Sequence, residues 1–364
     1  MHLSATLSRY IARQYIIALG GIYLALLFIA SLMDMLELTR RASGKADATF
    51  AVVIQLSLLK LPGMAQEIAP FAILFGSMLA FWRLTRSHEL VVARAAGVSV
   101  WQFLLPPLAI VFLIGVMKVA VVSPLTSATL SRFEQLESKY LSGRSSMLTV
   151  SQSGLWLRQP DPDGHSVIHA QRVAPADLTL SQVIIFRFQG LDRFAGRIDA
   201  REARLKDGFW DLRDAWLNQP DQPPTFRPEY RIATELTANN IREGFATPES
   251  VSFWDLPEFI VLLETAGFSA VSHRLYLQSL LADPFLLSAM VLIAATFALR
   301  PVRRGGTLML IAVGVFAGFM LFFLSDLVLA LGLSSRIPVF LAAWAPAGVS
   351  IMLGIAMLFH LEDG

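Results

Sequence analysis

Six stretches of this chain, roughly 12–33, 52–82, 98–122, 274–299, 307–331 and 337–359, are long and apolar enough to cross a bilayer. A hydrocarbon core of about 30 Å takes about 20 helical residues at about 1.5 Å each. Inside that core water satisfies no backbone N–H or C=O, so each stretch must close its own hydrogen bonds as a helix. A mean hydropathy of +0.56, with 55% hydrophobic and only 16% charged residues, fits this reading. The apolar part of the first stretch is too long for a signal peptide and no small-residue cleavage site follows it, so it is expected to stay as a span. Between the third and fourth spans lies a polar block of about 140 residues. The expected domains are 1–125 (three spans), 126–268 (an inserted domain) and 269–364 (three spans).

Lys and Arg near the span ends set the orientation. Arg9 and Arg13 precede the first span; Arg83, Arg86 and Arg94 follow the second; Arg300, Arg303 and Arg304 follow the fourth. These three clusters fall on one side, assigned to the cytoplasm together with both termini. They outweigh Arg40, Arg41 and Lys45 on the other side, where Glu37 and Asp47 offset part of the charge. The inserted domain is then expected outside the cytoplasm.

That domain reads as all-β. "LTVSQSGLWLRQP", "HSVIHAQRV", "LSQVIIFRFQ", "GRIDAREARLKDGFWDLRDAWL" and "EYRIATEL" are short, partly alternating apolar runs broken by Gly, Pro and Asp. Asp163-Gly164 and Asp207-Gly208 each carry a two-residue hairpin signal. Even strand spacing without helices predicts a sandwich or a jellyroll-like sheet pair. "SFWDLPEFIVLLETAG" predicts a short helix with Pro257 in its first turn and Gly267 at its end.

No catalytic constellation emerges. With no Cys there is no thiol nucleophile, disulfide or Cys-based metal site. The chain has no GxxxxGK[ST] loop, GxSxG elbow or HExxH motif. Of six histidines only His165 and His169 lie close together, at an expected hairpin, and they read as surface histidines rather than metal ligands. No cofactor, metal or nucleic-acid partner is expected.

Charge at bilayer depth costs about 2.5–3.5 kcal/mol on insertion scales, so each such residue needs an account. Lys60 and Glu67 are seven apart on one helix face, and mutual neutralisation across two turns accounts for both. Lys118, Asp283 and Asp326 fall in the outer halves of their spans. Snorkelling explains Lys118, and Asp283-Pro284 predicts a local break in the fourth span. Arg40, Arg41, Lys60 and Arg132 lie at the outer ends of the first three spans. Two accounts stay open for these four: a cationic mouth that binds a phosphorylated amphiphile, or anchors among lipid headgroups.

The segment "RLTRSHELVVARAAGVSVW" between spans two and three carries charge close to the membrane. As a helix over 84–97, Leu84, His88, Val91 and Ala95 make one apolar stripe. Glu89 and Arg94 project elsewhere, and Gly97 ends it. Such a helix either lies flat in the headgroups or serves as a lever pressed by a cytoplasmic partner.

The pieces "ELTRRASG", "APFAILFGSMLAFWRLTRSHELVVARAAG", "SGLWLR" and "RPVRRGG", in a three-domain-three layout, resemble the LptF/LptG family of permeases of the lipopolysaccharide export ABC transporter. "HELVVARAAG" and "SGLW" are closer to its LptG branch. The resemblance implies a six-span membrane protein with an inserted periplasmic β-jellyroll-like domain, in the bacterial inner membrane and without catalysis of its own. It implies a heterodimer with an LptF-like second six-span permease, a cytoplasmic ATPase dimer, a single-span LptC-like protein, and a periplasmic bridge that receives lipopolysaccharide. Residues 84–97 then become the coupling helix, with Arg86, His88, Glu89 and Arg94 facing the ATPase. Arg40 and Arg41 match basic gate positions, while Lys60 and Arg132 match with an offset of a residue or two. A membrane-anchored scaffold whose β domain recruits envelope-assembly partners is the alternative. An intramembrane transferase using Asp283 or Asp326 is a third reading.

Overall fold

A computed structural model describes residues 5–43, 45, 48–87, 89, 92, 97–137, 140, 148–151, 154–161, 164–174, 179–189, 193–220, 222–234, 247–265, 269–299 and 307–362. The chain forms two compact units. One comprises residues 1–141, 252–254 and 274–364; the other comprises 142–251 and 255–273.

The first unit holds the spans. In chain order these are α1 (Ala5–Ala42), α2 (Phe50–Arg86), α3 (Val100–Met117) continued by a π-helical turn (Lys118–Val122) and α4 (Ser123–Glu137), then α6 (Val271–Ala298), α7 (Thr307–Leu333) and α8 (Val339–Glu362). All six expected spans are present as long apolar helices. At about 1.5 Å per residue α1 runs about 57 Å, well beyond a ~30 Å hydrocarbon core. Its charged end, from Asp34 to Arg41, therefore projects past the apolar stretch. The third span also outruns its expected end, so a boundary at residue 126 falls inside α4. The start of α3 is fixed by a capping box: the Ser99 hydroxyl accepts from the Gln102 N–H, and the Gln102 side chain accepts from the Ser99 N–H.

Burial sorts the spans. Along their most apolar stretches α2 and α6 are each 61% buried, against 11% for α1 and 17% for α7. Two helices thus form the centre, and the others turn apolar faces outward. Lipid tails are as apolar as leucine, so helix association rests on close approach and polar contacts. A Cβ on Gly76 of α2 would stand 2.9 Å from the Leu19 Cα of α1. One turn before Leu19 on α1 and one residue after Gly76 on α2, Tyr15 Oη and Ser77 Oγ lie 2.7 Å apart in a buried hydrogen bond. The Thr85 hydroxyl at the far end of α2 donates to the Ala298 carbonyl at the end of α6, 3.1 Å away.

The second unit is the inserted all-β domain, with a short helix α5 (Leu256–Thr265) carrying Pro257 in its first turn as expected. Among the described residues its seven strands are β1 (Leu148–Ser151), β2 (Gly154–Asp161), β3 (Gly164–Ala174), β4 (Thr179–Gln189), β5 (Arg193–Lys206), β6 (Phe209–Asn218) and β7 (Thr225–Ala233). Hairpins form at both expected places: β5 and β6 pair up to Lys206 opposite Phe209, which leaves Asp207-Gly208 as the turn, while β2 and β3 pair up to Asp161 opposite Gly164, so that Gly164 opens β3 and Asp163 lies outside the described residues. Gly208 has φ +85°, the left-handed conformation that favours glycine. The strand order is simpler than a pair of separate sheets: every strand pairs antiparallel with its sequence neighbour, in one sheet.

That sheet is rolled. In a flat meander β2 and β6 would stand about 19 Å apart, four spacings of about 4.8 Å. Instead the Trp210 indole N–H of β6 donates to Gln159 Oε1 of β2 at 3.1 Å, in a fully buried contact. The same oxygen accepts from the Thr234 hydroxyl at 2.8 Å, and Gln159 Nε2 donates to the Ala233 carbonyl at 3.3 Å. A crease makes part of this curvature. Buried positions on β4 run Leu180, Val183, Ile185, and on β5 Ile198, Ala200, Ala203, so the inward phase shifts by one residue on both strands. The shift falls at Gln182, Arg201 and Asp214, neighbours across β4, β5 and β6, and Gln182 and Asp214 have φ of +52° and +51°.

Candidate functional site

The expected cationic mouth is a set of ion pairs. Arg40 and Arg41 end α1, where an uninterrupted apolar helix hands over to a charged turn. Glu37, one turn earlier, lies 2.7 Å from Arg40 and 3.0 Å from Arg41. Arg41 also reaches Glu137 at the end of α4, 3.2 Å away. These contacts are 24–79% exposed on their side chains and are individually weak. Lys60 of α2 does not pair with Glu67, which is exposed; its ammonium meets Asp34 of α1 at 2.5 Å. Asp34 is 10% exposed, and the Lys60 ammonium also sits 5.4 Å from the centre of the Phe133 ring of α4. The seven-residue spacing put Lys60 and Glu67 on one face, but the packing of α1 against α2 offers a nearer carboxylate. Arg132 is exposed and donates to Gln135 one turn on.

Cations from α1 and α2 thus share one end of the unit, tied to α1 and α4 by Asp34, Glu37 and Glu137, none of which stood out as a functional residue in the sequence. Glu37 lay in a recognised charge run. Asp34 and Glu137 had no signal of their own, because their significance comes from which helix packs opposite.

A second intramembrane pair lies along the third span. Lys118, the first residue of the π turn, holds Asp283 of α6 at 3.0 Å with both side chains about 12–13% exposed. Lys118 is therefore paired rather than snorkelling, because an opposite charge at the same depth removes the need to reach water. Nor does Asp283-Pro284 break the fourth span: α6 runs unbroken through it, with Pro284 packed so tightly on α3 that a Cβ on Gly115 would lie 2.6 Å from the Pro284 Cα. The π turn, which breaks the regular helical hydrogen-bond register, has its Ala120 carbonyl accept the Trp254 indole N–H at 3.1 Å. Asp326 is exposed on α7.

Of the segment expected to couple to a partner, Arg86 is the last residue of α2 and stacks over the Trp82 ring at 5.3 Å. Glu89 is half-buried. Gly97 has φ +85°. His88 and Arg94 lie outside the described residues, as do Arg300, Arg303 and Arg304 beyond α6 and Gly267 beyond α5. In the β unit His165 stacks on Phe188 at 4.9 Å, and His169 meets Trp156 at 4.4 Å with the rings tilted by 42°.

A family model described as lipopolysaccharide export system permease LptF/LptG matches residues 9–360, from the start of the first span to the end of the sixth. The chain belongs to the LptF/LptG family. Among curated relatives, this family member is 23% identical to the lipopolysaccharide export system permease protein LptG of Escherichia coli (strain K12) over 97% of the chain and 98% of that protein. It is 23% identical to the LptG of Haemophilus influenzae over 98% of both. Each match therefore takes in all six spans together with the β unit. As a permease of this family the chain is a transport subunit rather than an enzyme.

Proposed function

We propose that this chain is one half of a lipopolysaccharide-extracting permease, paired with an LptF-like second six-span subunit and driven by a cytoplasmic ATPase dimer. The β domain lies in the periplasm and passes substrate to an LptC-like protein and a periplasmic bridge. Both termini and residues 84–97 face the cytoplasm, where Arg86, His88, Glu89 and Arg94 meet the ATPase. The phosphates of the glycolipid are read at the shared end of α1, α2 and α4, by Arg40 and Arg41 first and by Lys60 and Arg132 around them.

The observation that carries this reading is the convergence of those cations from separate helices at the end of α1 that outruns the apolar core. A phosphorylated amphiphile needs that combination: apolar helix faces for its chains and guanidinium groups for bidentate phosphate contact. Withdrawing the chains from a leaflet costs about 0.8 kcal/mol per CH₂, so nucleotide hydrolysis by a partner is the natural drive. The exposed apolar faces of α1 and α7 fit a wall completed by a second subunit.

The test is photocrosslinking of lipopolysaccharide from positions 36 and 39, exposed on α1 beside the two arginines, in vesicles holding the assembled transporter. Crosslinks that require ATP, and that vanish in R40E/R41E, support the proposal. Crosslinking and export untouched by that reversal sink it and leave the scaffold reading. For the coupling segment, E89R should release the ATPase during purification, and unchanged assembly and ATP turnover would remove residues 84–97 from that role.

A further inference from the structure

The guanidinium groups offered to phosphate are already occupied by carboxylates. Glu37 accepts from both Arg40 and Arg41, and Glu137 takes the other face of Arg41. We infer that Glu37 and Glu137 are internal competitors which make the mouth select lipids bearing phosphate monoesters and reject singly charged phosphodiester lipids. The inference rests on the mouth being where phosphate is read.

The reasoning is an exchange balance. A phosphodiester headgroup carries one negative charge, as a carboxylate does. Replacing Glu37 or Glu137 by such a headgroup trades one ion pair for another of equal charge, and it loses the advantage of partners already tethered. A phosphate monoester carries about −1.5 to −2 near neutral pH and three strong acceptor oxygens. It outbids a carboxylate for a guanidinium, and a lipid with two monoesters can engage more than one cation at once. Where singly charged lipids outnumber a multiply phosphorylated one, bare arginines would be saturated by the wrong ligand. Rejection by a built-in competitor is a common route to specificity.

The two kinds of pair at this end are unequal. Asp34 is nearly buried against Lys60, so its release would leave a desolvated carboxylate. Glu37 and Glu137 are 40% and 24% exposed and can swing into water once displaced. Exchange therefore falls on Arg40 and Arg41, while Asp34–Lys60 holds α1 to α2. Because Glu137 is on α4 and Arg41 on α1, the same exchange also unfastens those helices from one another when the correct ligand arrives.

The experiment compares wild type with E37Q/E137Q as full-length protein in detergent micelles, measuring binding by native mass spectrometry. The probes are bisphosphoryl lipid A, fully dephosphorylated lipid A and dioleoylphosphatidylglycerol. Wild type should prefer bisphosphoryl lipid A over the phosphodiester lipid. In E37Q/E137Q the affinity for dioleoylphosphatidylglycerol should rise about four- to twenty-fivefold, since each exposed carboxylate neutralised is worth roughly a factor of two to five, and preference should narrow accordingly. Adding R40A/R41A to that background should abolish the gain. An unchanged preference in E37Q/E137Q, or a gain that survives R40A/R41A, overturns the inference alone. Wild type that treats phosphorylated and dephosphorylated lipid A alike overturns the phosphate-reading mouth as well. Single E37Q and E137Q variants, each at an exposed position, keep the comparison available if the double variant is poorly folded.

Discussion

Replacing Lys118 by methionine should be among the most damaging single changes in the spans. The ammonium lies 3.0 Å from the Asp283 carboxylate, and both side chains are about 12–13% exposed, so neither has much water to fall back on. At an effective dielectric of about 20, opposite charges 4 Å apart attract by about 4 kcal/mol. Stripping one partner from a buried pair costs about 3–5 kcal/mol, because the remaining charge is stranded. K118M should therefore lose about 3 kcal/mol, and D283L a similar amount by stranding the lysine. The double variant K118M/D283L exchanges two charges for two apolar side chains of similar reach and should return to within about 1 kcal/mol of wild type. For a unit this size 1 kcal/mol moves the midpoint by about 2–4 °C. The expected drop in K118M is thus about 6–12 °C, followed in detergent by tryptophan fluorescence of the full chain. Single variants within 1 °C of wild type, or a double variant whose loss is the sum of the two singles, would refute the reasoning.

Three further outcomes concern the β unit. Q159L strands the buried Trp210 indole N–H and removes an acceptor of the Thr234 hydroxyl, and should cost about 1–3 kcal/mol, read as accelerated hydrogen exchange confined to strands β2, β6 and β7. Gln182 holds φ +52°, a conformation that costs a side-chain-bearing residue about 1–2 kcal/mol, of which glycine's added chain entropy takes back part; Q182G should thus raise the urea midpoint by the equivalent of about 0.5–1 kcal/mol. Asp211 is held below the ordinary carboxylate value of 3.8 chiefly by the Lys206 hydrogen bond, with Arg231 and Arg213 adding to it. A depressed folded value means that its stabilisation is present above the unfolded value and lost as pH falls through the folded one. Acid titration of β-unit stability should steepen below about pH 4, and K206M should flatten that limb; identical acid limbs in the two proteins would contradict the assignment.

How much of this could be read ahead depends on distance along the chain. The six spans follow from runs of apolar residues, and the Asp207-Gly208 hairpin follows from two-residue turn chemistry, because each signal is local in the chain. The cations at the end of α1 were visible as a charge run for the same reason. Their partners were not. Lys60 was matched to Glu67 on its own helix, whereas the carboxylate it meets is Asp34, 26 residues back on α1. Snorkelling is all that the local sequence offers Lys118, because Asp283 is 165 residues away. The roll of the sheet was hidden likewise: the alternation falters around Gln182, Arg201 and Asp214, and a faltering strand in a sequence looks merely irregular until its neighbours falter in register with it.

By itself, then, the order of residues determined the solvent each segment lives in, the helical or extended state of each and the positions of the tight turns, because those depend on hydrocarbon length, backbone satisfaction and local sterics. Tertiary packing decided which charge neutralises which, that α2 and α6 occupy the centre, and that a simple meander closes on Gln159. These are matters of helix and strand register, settled only when surfaces from distant parts of the chain meet at ångström separations.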